Sequence, residues 1–227
     1  MNKQYKISFS RINFAFICLT LPIVLTINAC TDKPAQNVQS IEDYETAREI
    51  FWNELYPNGG ETLYCAKQFD GGYNRGINIE HVFPMGWVTH TLDCGRRKEC
   101  RRNSPLFNQI EADLHNLYPA RTAINKERSS IAFGMVNGEK RNYGSCDFEI
   151  QHSRPRLVEP REEVRGNIAR SMFYMADTYD LTLFDKQIAI LNKWNKADPP
   201  DKFEKDRNDK IEKIQGNRNP YIDGKNF

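Results

Sequence analysis

Glu80 and His81 are the adjacent side chains of this sequence that carry the most chemical information. Glutamate offers a hard oxygen ligand for a divalent cation, and a neutral histidine can accept a proton from water near neutral pH. Hydrolysis of a phosphodiester bond needs both functions. The chain has only four histidines, so few other side chains could supply the base. The alternative interpretation is an ordinary surface pair on an edge strand, which the surrounding pattern disfavours.

The elements that must position this pair are a helix followed by strands and turns. Residues 41–55 repeat apolar side chains at helical spacing, which predicts a helix that packs on the core. Residues 61–83 show strand and turn patterns, and Pro84 ends the strand that carries Glu80 and His81. The pair is therefore expected at the end of a strand.

A second helix is predicted to begin at Ser104, which is followed by a proline suited to the first helical position. Its apolar face continues to Pro119. Asn108, Glu111 and His115 are spaced by three and four residues on the opposite, polar side. This spacing predicts that Glu111 and His115 face the same cleft.

A short helix is predicted from residue 120 to about residue 128. It would align Arg121, Asn125 and Arg128 in one stripe, which has the chemistry of a phosphate and metal site. Further on, the patterns predict a strand near residues 144–151 and helices after Pro160, over residues 183–194 and over residues 203–214. We expect a mixed α+β fold, richer in helix, in which a small β-hairpin and a helix hold the active site.

Positive charge is concentrated locally. The whole sequence has 32 Lys and Arg against 30 Asp and Glu. Three cations lie in the first 29 residues, so 29 basic and 30 acidic side chains remain, a net charge of −1. Bulk charge therefore does not predict nucleic-acid binding, and any attraction for phosphate must come from a local cluster. That cluster comprises Arg96, Arg97, Lys98, Arg101 and Arg102; a solvated loop is its simpler interpretation.

The first 29 residues predict export. Lys3, Lys6 and Arg11 precede an apolar run, as in a signal peptide. The run approaches the ~20 residues that span a bilayer, so a membrane-spanning anchor is the alternative. It ends at Cys30 in a setting that resembles a bacterial lipobox, which predicts lipidation and anchoring to the envelope; otherwise the protein would be periplasmic or secreted. Residues 30–39 are polar and predict a tether, and residues 40–227 predict one domain.

Four cysteines remain for that domain: Cys65, Cys94, Cys100 and Cys146. In an exported protein they indicate two disulfides, for which three connectivities exist. We expect Cys94 with Cys100, which would stiffen the basic segment, and Cys65 with Cys146. A zinc site is the competing interpretation, but the paired spacing typical of structural zinc is missing.

A series of short blocks spread over the predicted domain matches one protein family. The blocks are residues 63–65, 80–84, 97–98, 111–117, 125, 128–129, 165–170, 173–175, 194–196 and 215–221. In this order they closely resemble the bacterial endonuclease I family, which are periplasmic or secreted non-specific nucleases built around a ββα-metal finger (His-Me finger). The resemblance covers essentially everything after the tether.

The resemblance implies a role for each site residue. It implies that Glu80 and Asn125 bind the catalytic Mg²⁺, or another divalent cation, and that His81 activates the attacking water. It also implies that Arg97 contacts the phosphate and that Glu111 supports the same site. Further residues are expected to contact DNA or RNA, on weaker grounds than those above. They are Arg96 and Lys98 of the basic cluster, and Arg121, Arg128, His115 and Asn116 at recurring family positions. Little sequence preference is expected, because phosphate contacts do not read bases.

Two other functions stay open at this point. One is an exported lipoprotein that binds nucleic acid without cutting it, and the other is a metal-dependent phosphoesterase acting on small esters. A base beside a metal ligand argues against the first, and the basic cluster favours a polymer over the second.

The sequence departs from the family pattern in two ways. The disulfide framework is leaner than in some relatives, and Cys30 suggests a tethered form. Nothing in the sequence requires a partner chain, so we expect a monomer.

Overall fold

A computed structural model describes residues 41–72, 74–138 and 141–227 of the chain. The predicted signal peptide at residues 1–29, the tether at residues 30–39 and the lipidation site at Cys30 lie outside the described residues. The described residues belong to one compact unit. Among them, no helix combines the length and the apolar character needed to cross a bilayer.

Helices account for most of the regular structure in the described ranges. Asp43 caps the first α-helix by accepting hydrogen bonds from two backbone amides. Ser104 caps the fourth by accepting one from the Phe107 amide at 3.2 Å. The α-helices are α1 (Tyr44–Ile50), α2 (Met85–Thr91), α3 (Arg97–Asn103), α4 (Pro105–Ala112), α5 (Thr122–Arg128), α6 (Arg165–Tyr179), α7 (Asp185–Ala197) and α8 (Lys202–Gln215). A π-helical turn (Phe51–Leu55) extends α1, and 3₁₀ turns cover Leu114–Asn116 and Glu162–Val164.

Three small sheets complete the described fold. Their strands are β1 (Gly60–Glu61), β2 (Gln68–Phe69), β3 (Ile77–His81), β4 (Leu117–Arg121), β5 (Ala132–Phe133), β6 (Phe148–Gln151) and β7 (Leu157–Pro160). Strands β1 and β2 pair antiparallel, as do β3 and β4. In the third sheet β7 lies centrally, parallel to β5 and antiparallel to β6. The mixture of helices and small sheets confirms the predicted α+β class.

Strands β3 and β4 and helix α5 form the part of the fold that positions the site. In their register Glu80 lies opposite Tyr118, and His81 lies opposite Leu117. Helix α5 follows β4 directly. Beyond the strand end, the Val82 amide donates to the Asn116 carbonyl at 3.0 Å. The end of β3 is therefore fixed by backbone bonds on the side of β4.

Strand β3 is also fixed by two hydrophobic clusters. Ile77 and Ile79 belong to the cluster that α1 and its π-helical extension form with α8. Val82 and Phe83, which follow the strand, belong to the larger cluster around α6. Burial of a Phe or Ile side chain stabilises a fold by ~1.5–3 kcal/mol. The segment with Glu80 and His81 is thus held from both sides by apolar packing.

Two disulfides cross-link the described domain. Cys65 bonds to Cys146, 81 residues away, and Cys94 bonds to Cys100, six residues away. These are the pairs that the sequence analysis expects. The zinc interpretation is wrong, because all four sulfur atoms are engaged in these bonds.

Two of the predicted elements are wrong. Helix α4 ends at Ala112, and after a 3₁₀ turn the chain continues as β4, so the expected helix does not reach Pro119. The backbone N–H and C=O groups of residues 117–121 form hydrogen bonds with β3, and in a helix the same groups would bond within the helix instead. The basic segment expected as a loop is helix α3, at whose start the Glu99 carboxylate accepts a hydrogen bond from the Arg96 backbone amide at 2.7 Å. The helices predicted after Pro160 are confirmed as α6, α7 and α8.

Candidate active site

A cleft of about 740 Å³ lies at the end of β3. Side chains from α1, β3, α2, α3 and α5 line it. Five residues singled out in the sequence are among them: Glu80, His81, Arg96, Arg97 and Asn125. The tertiary structure thus brings together residues that are up to 45 positions apart in the chain.

His81 is held with one ring nitrogen already engaged. Its Nε2 lies 3.0 Å from the backbone carbonyl oxygen of Glu111, and its side chain is buried. Because a carbonyl oxygen can only accept, Nε2 carries the proton and Nδ1 keeps the lone pair. Burial, together with the charge of Arg97, lowers the pKa of His81 to about 3. The imidazole is therefore neutral over the whole range near neutral pH.

Glu80 is a buried carboxylate with two partners on one oxygen. Oε1 accepts a hydrogen bond from the Tyr64 hydroxyl at 2.6 Å and lies 3.2 Å from a guanidinium nitrogen of Arg128. Burial raises the pKa of Glu80, while Arg128 and Tyr64 act in the opposite direction. Both partners favour the ionised form, which is the form that binds a cation.

Asn125 is oriented by β3. Its Nδ2 donates to the Ile79 carbonyl at 3.0 Å and to Oδ1 of Asn78 at 3.1 Å. Both hydrogen bonds of the amide nitrogen therefore go to residues of β3, and Oδ1 remains available as an acceptor. Glu80 and Asn125 line the same cleft. A carboxylate and an amide oxygen are a donor set that fits Mg²⁺, which binds oxygen ligands and keeps several waters.

Glu111 connects His81 to two arginines. It is fully buried, and its carboxylate accepts from Arg97 Nε at 2.5 Å and from Arg101 Nε at 2.7 Å. The two guanidinium groups also lie over the ring of Tyr44, at 5.7 and 5.3 Å from its centre. Glu111 itself is not among the residues that line the cleft. It therefore supports the site from beneath, with the side chain holding the arginines and the carbonyl holding His81.

Three of the expected nucleic-acid contacts lie on or near the surface. Arg96 lines the cleft with a side chain that is 90% exposed. Lys98 is exposed on α3 but is not part of the lining. Arg121 is half-buried where β4 meets α5 and is also outside the lining. The predicted stripe that would align it with Asn125 is wrong, because α5 begins only at Thr122.

The structure buries the other three expected contacts. Arg128 donates to the carbonyl oxygens of His81 and Val82 in addition to its contact with Glu80. Asn116 makes two hydrogen bonds with the backbone of Phe83. His115 packs against the ring of Tyr174 outside the cleft, so the prediction that it shares a cleft with Glu111 is wrong. Each of these side chains is at most 1% exposed, which rules out contact with a substrate phosphate in this fold.

Sequence reasoning missed several residues of the site. Tyr44 packs against the ring of His81, with ring centres 5.2 Å apart, and Tyr64 donates to the carboxylate of Glu80, yet their spacing along the chain gives no signal for this. Arg101 was recognised only as part of the basic cluster; its position four residues after Arg97 would have placed both on one helical face if α3 had been predicted. Lys126 lines the cleft from α5 and was not singled out.

An imidazole held at a strand end, a buried carboxylate and a basic cleft are groups that phosphodiester hydrolysis can use. The family model for endonuclease I matches residues 22–226. An extracellular deoxyribonuclease of Aeromonas hydrophila is 33% identical over 228 residues, covering 90% of this chain and 96% of the relative. Endonuclease-1 of Buchnera aphidicola is 37% identical over 180 residues, covering 77% and 70%. An extracellular ribonuclease of Bacillus amyloliquefaciens is 38% identical over 193 residues, covering 74% and 59%.

The chain therefore belongs to the endonuclease I family and is an endonuclease that hydrolyses nucleic acid. The extracellular and periplasmic relatives also support an exported protein, in agreement with the predicted signal peptide.

Proposed function

We propose that this protein is a metal-dependent, non-specific endonuclease in which Glu80 and Asn125 hold Mg²⁺, or another divalent cation, and His81 activates water. Arg97 contacts the scissile phosphate, and Glu111 and Arg101 position Arg97 and His81. The observation that carries the proposal is the convergence of the carboxylate, the amide, the imidazole and the guanidinium on one cleft. The sequence β3, β4, α5 then serves as the ββα-metal finger.

The proton transfer follows from the state of His81. With Nε2 bonded to the Glu111 carbonyl, Nδ1 accepts a proton from a water molecule in the cleft. The water oxygen forms a bond to phosphorus, the bond from phosphorus to O3′ breaks, and O3′ takes up a proton from solvent. The low pKa of His81 ensures that Nδ1 is free before the reaction starts. Strong acid should stop the reaction, because it protonates Nδ1.

Arg97 acts on the phosphate together with the cation that Glu80 and Asn125 would hold. When bound, that cation would stabilise negative charge on the scissile phosphate and on the departing O3′. Arg97 has a half-exposed side chain, so it can turn guanidinium nitrogens toward phosphate oxygens while Glu111 limits its freedom. Arg96 and Lys126 supply further positive charge along the lining, and Lys98 and Arg121 would meet phosphates farther out.

The substrate is a polynucleotide of little sequence preference. The basic groups at the cleft are suited to phosphates, which position a strand without reading its bases. Relatives are named both deoxyribonuclease and ribonuclease, and we propose DNA and RNA as substrates. The same basic lining disfavours small phosphate esters. The buried Arg128, His115 and Asn116 act by holding other parts of the structure. Arg128 holds Glu80, His115 holds the C-terminal part of the fold, and Asn116 holds the end of β3.

A single substitution tests the base. His81→Ala should abolish relaxation of supercoiled plasmid and degradation of RNA in Mg²⁺, because the lining contains no second imidazole to take the proton. DNA binding in EDTA and the melting temperature should stay near those of the wild type. His152→Ala, an exposed histidine on another part of the surface, is the matched control. Equal loss of melting temperature and activity in His81→Ala would instead make His81 a structural residue.

A second substitution tests the cation site. Glu80→Ala should weaken Mg²⁺ binding strongly in calorimetric titration, because the one carboxylate of the donor set is removed. Unchanged affinity would remove Glu80 from the ligand set.

Two further properties stay predictions. Lipid attachment at Cys30 can be tested by mass spectrometry of the exported protein, and the monomeric state can be tested by analytical sedimentation.

A further inference from the structure

A row of three aromatic rings runs from the core to the surface. Phe83 is fully buried and packs edge-on against Trp87, with ring centres 5.7 Å apart. Trp87 packs against Phe184, with ring centres 5.3 Å apart. Phe184 is 56% exposed, the highest value among the large apolar side chains of the described residues. The row therefore ends at the surface in the exposed ring of Phe184, which packs on the partly buried Trp87 and, through it, on the buried Phe83.

Two contacts place this row at the rim of the catalytic cleft. Trp87 Nε1 donates to the backbone carbonyl oxygen of Ser130 at 3.0 Å, and Ser130 lines the cleft. Trp87 also follows Gly86, another lining residue. A Cβ at Gly86 would come within 2.5 Å of Ser130 Oγ, so helix α2 and the segment after α5 are packed closely there. Trp87 and Phe184 do not line the cleft themselves, but Trp87 lies directly beside the lining residues Gly86 and Ser130.

We propose that Trp87 and Phe184 form a stacking subsite for an unpaired nucleobase of the strand that passes through the cleft. This inference rests on the proposed function. The cationic lining selects a polyanion, so the neighbouring apolar surface meets the non-ionic part of the same polymer, which is its bases. Aromatic side chains stack on any base, because every base has a π-face. The subsite adds affinity for single strands without adding sequence preference.

A duplex keeps its bases stacked on each other and cannot use this surface without unpairing. The subsite therefore predicts a preference for single-stranded or locally unpaired substrate over an intact duplex. Phosphate contacts alone would favour the duplex instead, since its two strands together carry the denser backbone charge.

The test compares two equally exposed phenylalanines. Phe184→Ala should raise the Kd of a fluorescein-labelled single strand about tenfold, measured by anisotropy in EDTA, and should raise its KM in Mg²⁺ similarly with kcat unchanged. A blunt duplex should bind both proteins alike. Phe203→Ala, 55% exposed at the start of α8, is the matched control and should behave as the wild type.

Intrinsic fluorescence gives a second readout. Trp52 and Trp194 are buried, whereas Trp87 is only partly buried, so Trp87 is the tryptophan that a base can reach. A thymine oligonucleotide should quench its emission, and an abasic strand of equal length should not.

Three results would overturn the subsite: no change in Phe184→Ala, an equal loss for strand and duplex, or equal binding of the abasic strand. Dissociation of a dimer by Phe184→Ala in sedimentation would assign the surface to self-association. Failure to cut in Mg²⁺, with the strand preference in EDTA intact, would overturn the metal-dependent hydrolysis and leave the subsite standing.

Discussion

Replacing Tyr64 with Phe tests how the carboxylate of Glu80 is kept ready for a cation. Tyr64 is fully buried, its ring packs on Phe148 at 5.0 Å, and its hydroxyl donates to Glu80 at 2.6 Å. Phe preserves the ring packing and removes one hydrogen bond to the ionised carboxylate. Arg128 is then left to offset the burial of Glu80.

The magnitude follows from the bond that is lost. A hydrogen bond to a charged group contributes ~1.5–3 kcal/mol, and each 1.4 kcal/mol is tenfold in an equilibrium constant. Burial already raises the pKa of Glu80 and Tyr64 opposes this, so Tyr64→Phe raises the pKa further. Protons then compete more strongly with the cation. We expect the half-saturating Mg²⁺ concentration to rise about tenfold at pH 6, and by less at pH 8, where fewer protons compete with the cation.

Plasmid relaxation over a range of MgCl₂ concentrations at pH 6 and pH 8 measures this effect. The rate at saturating Mg²⁺ should fall only slightly, because His81 and Arg97 are untouched. Tyr143→Phe is the control, since Tyr143 also packs on Phe148, at 6.1 Å. An unchanged half-saturating concentration at both pH values would refute the view that Tyr64 prepares a metal-binding carboxylate.

Buried polar groups give three further predictions. Burial lowers the pKa of His115 to about 4 from 6.5, so between these values only the unfolded chain binds the proton. The stability from this neutral ring is complete above pH 6.5, and protonation of His115 in the unfolded chain should remove ~3 kcal/mol from the free energy of unfolding in urea by pH 4. His81, whose pKa is lowered to about 3, adds a loss in the same direction, and a flat profile would contradict the burial of both rings. Glu111→Gln should lower kcat on plasmid ~10–100-fold with DNA binding retained, and an unchanged kcat would deny it a positioning role. Glu204→Ala leaves the buried guanidinium of Arg170 without its carboxylate partner, although its bonds to Asn195 and the Asp198 carbonyl remain, and should cost ~3–5 kcal/mol in urea unfolding, while a near-zero cost would mean that water reaches it.

Local patterns were sufficient where helices pack on the core through regular apolar stripes. Helix α6 repeats buried residues such as Ile168, Met172 and Met175 at helical spacing, so its prediction from the sequence is confirmed. Strand β4 could not be found in this way. The apolar residues before it continue the helical spacing of α4, and Pro119 reads as a helix stop, although it lies within the strand.

The site shows the same division. Glu80 and His81 could be singled out because a carboxylate and an imidazole stand side by side, and the endonuclease I family could be recognised from short blocks. Burial could not be inferred for Arg128 and Asn116, whose polar side chains are normally exposed. Their burial depends on backbone carbonyls and amides that face them from β3 and its continuation.

The sequence by itself determined the chemical groups available, the helices with strong apolar periodicity and the family. Only the tertiary structure decided which nitrogen of His81 holds the proton, which oxygen of Glu80 already accepts a hydrogen bond, and which basic side chains line the cleft. The physical reason is that spacing along the chain fixes only local neighbours. The contacts from Tyr64 to Glu80 and from Glu111 to His81 span 16 and 30 residues and form only when strands, helices and core pack together.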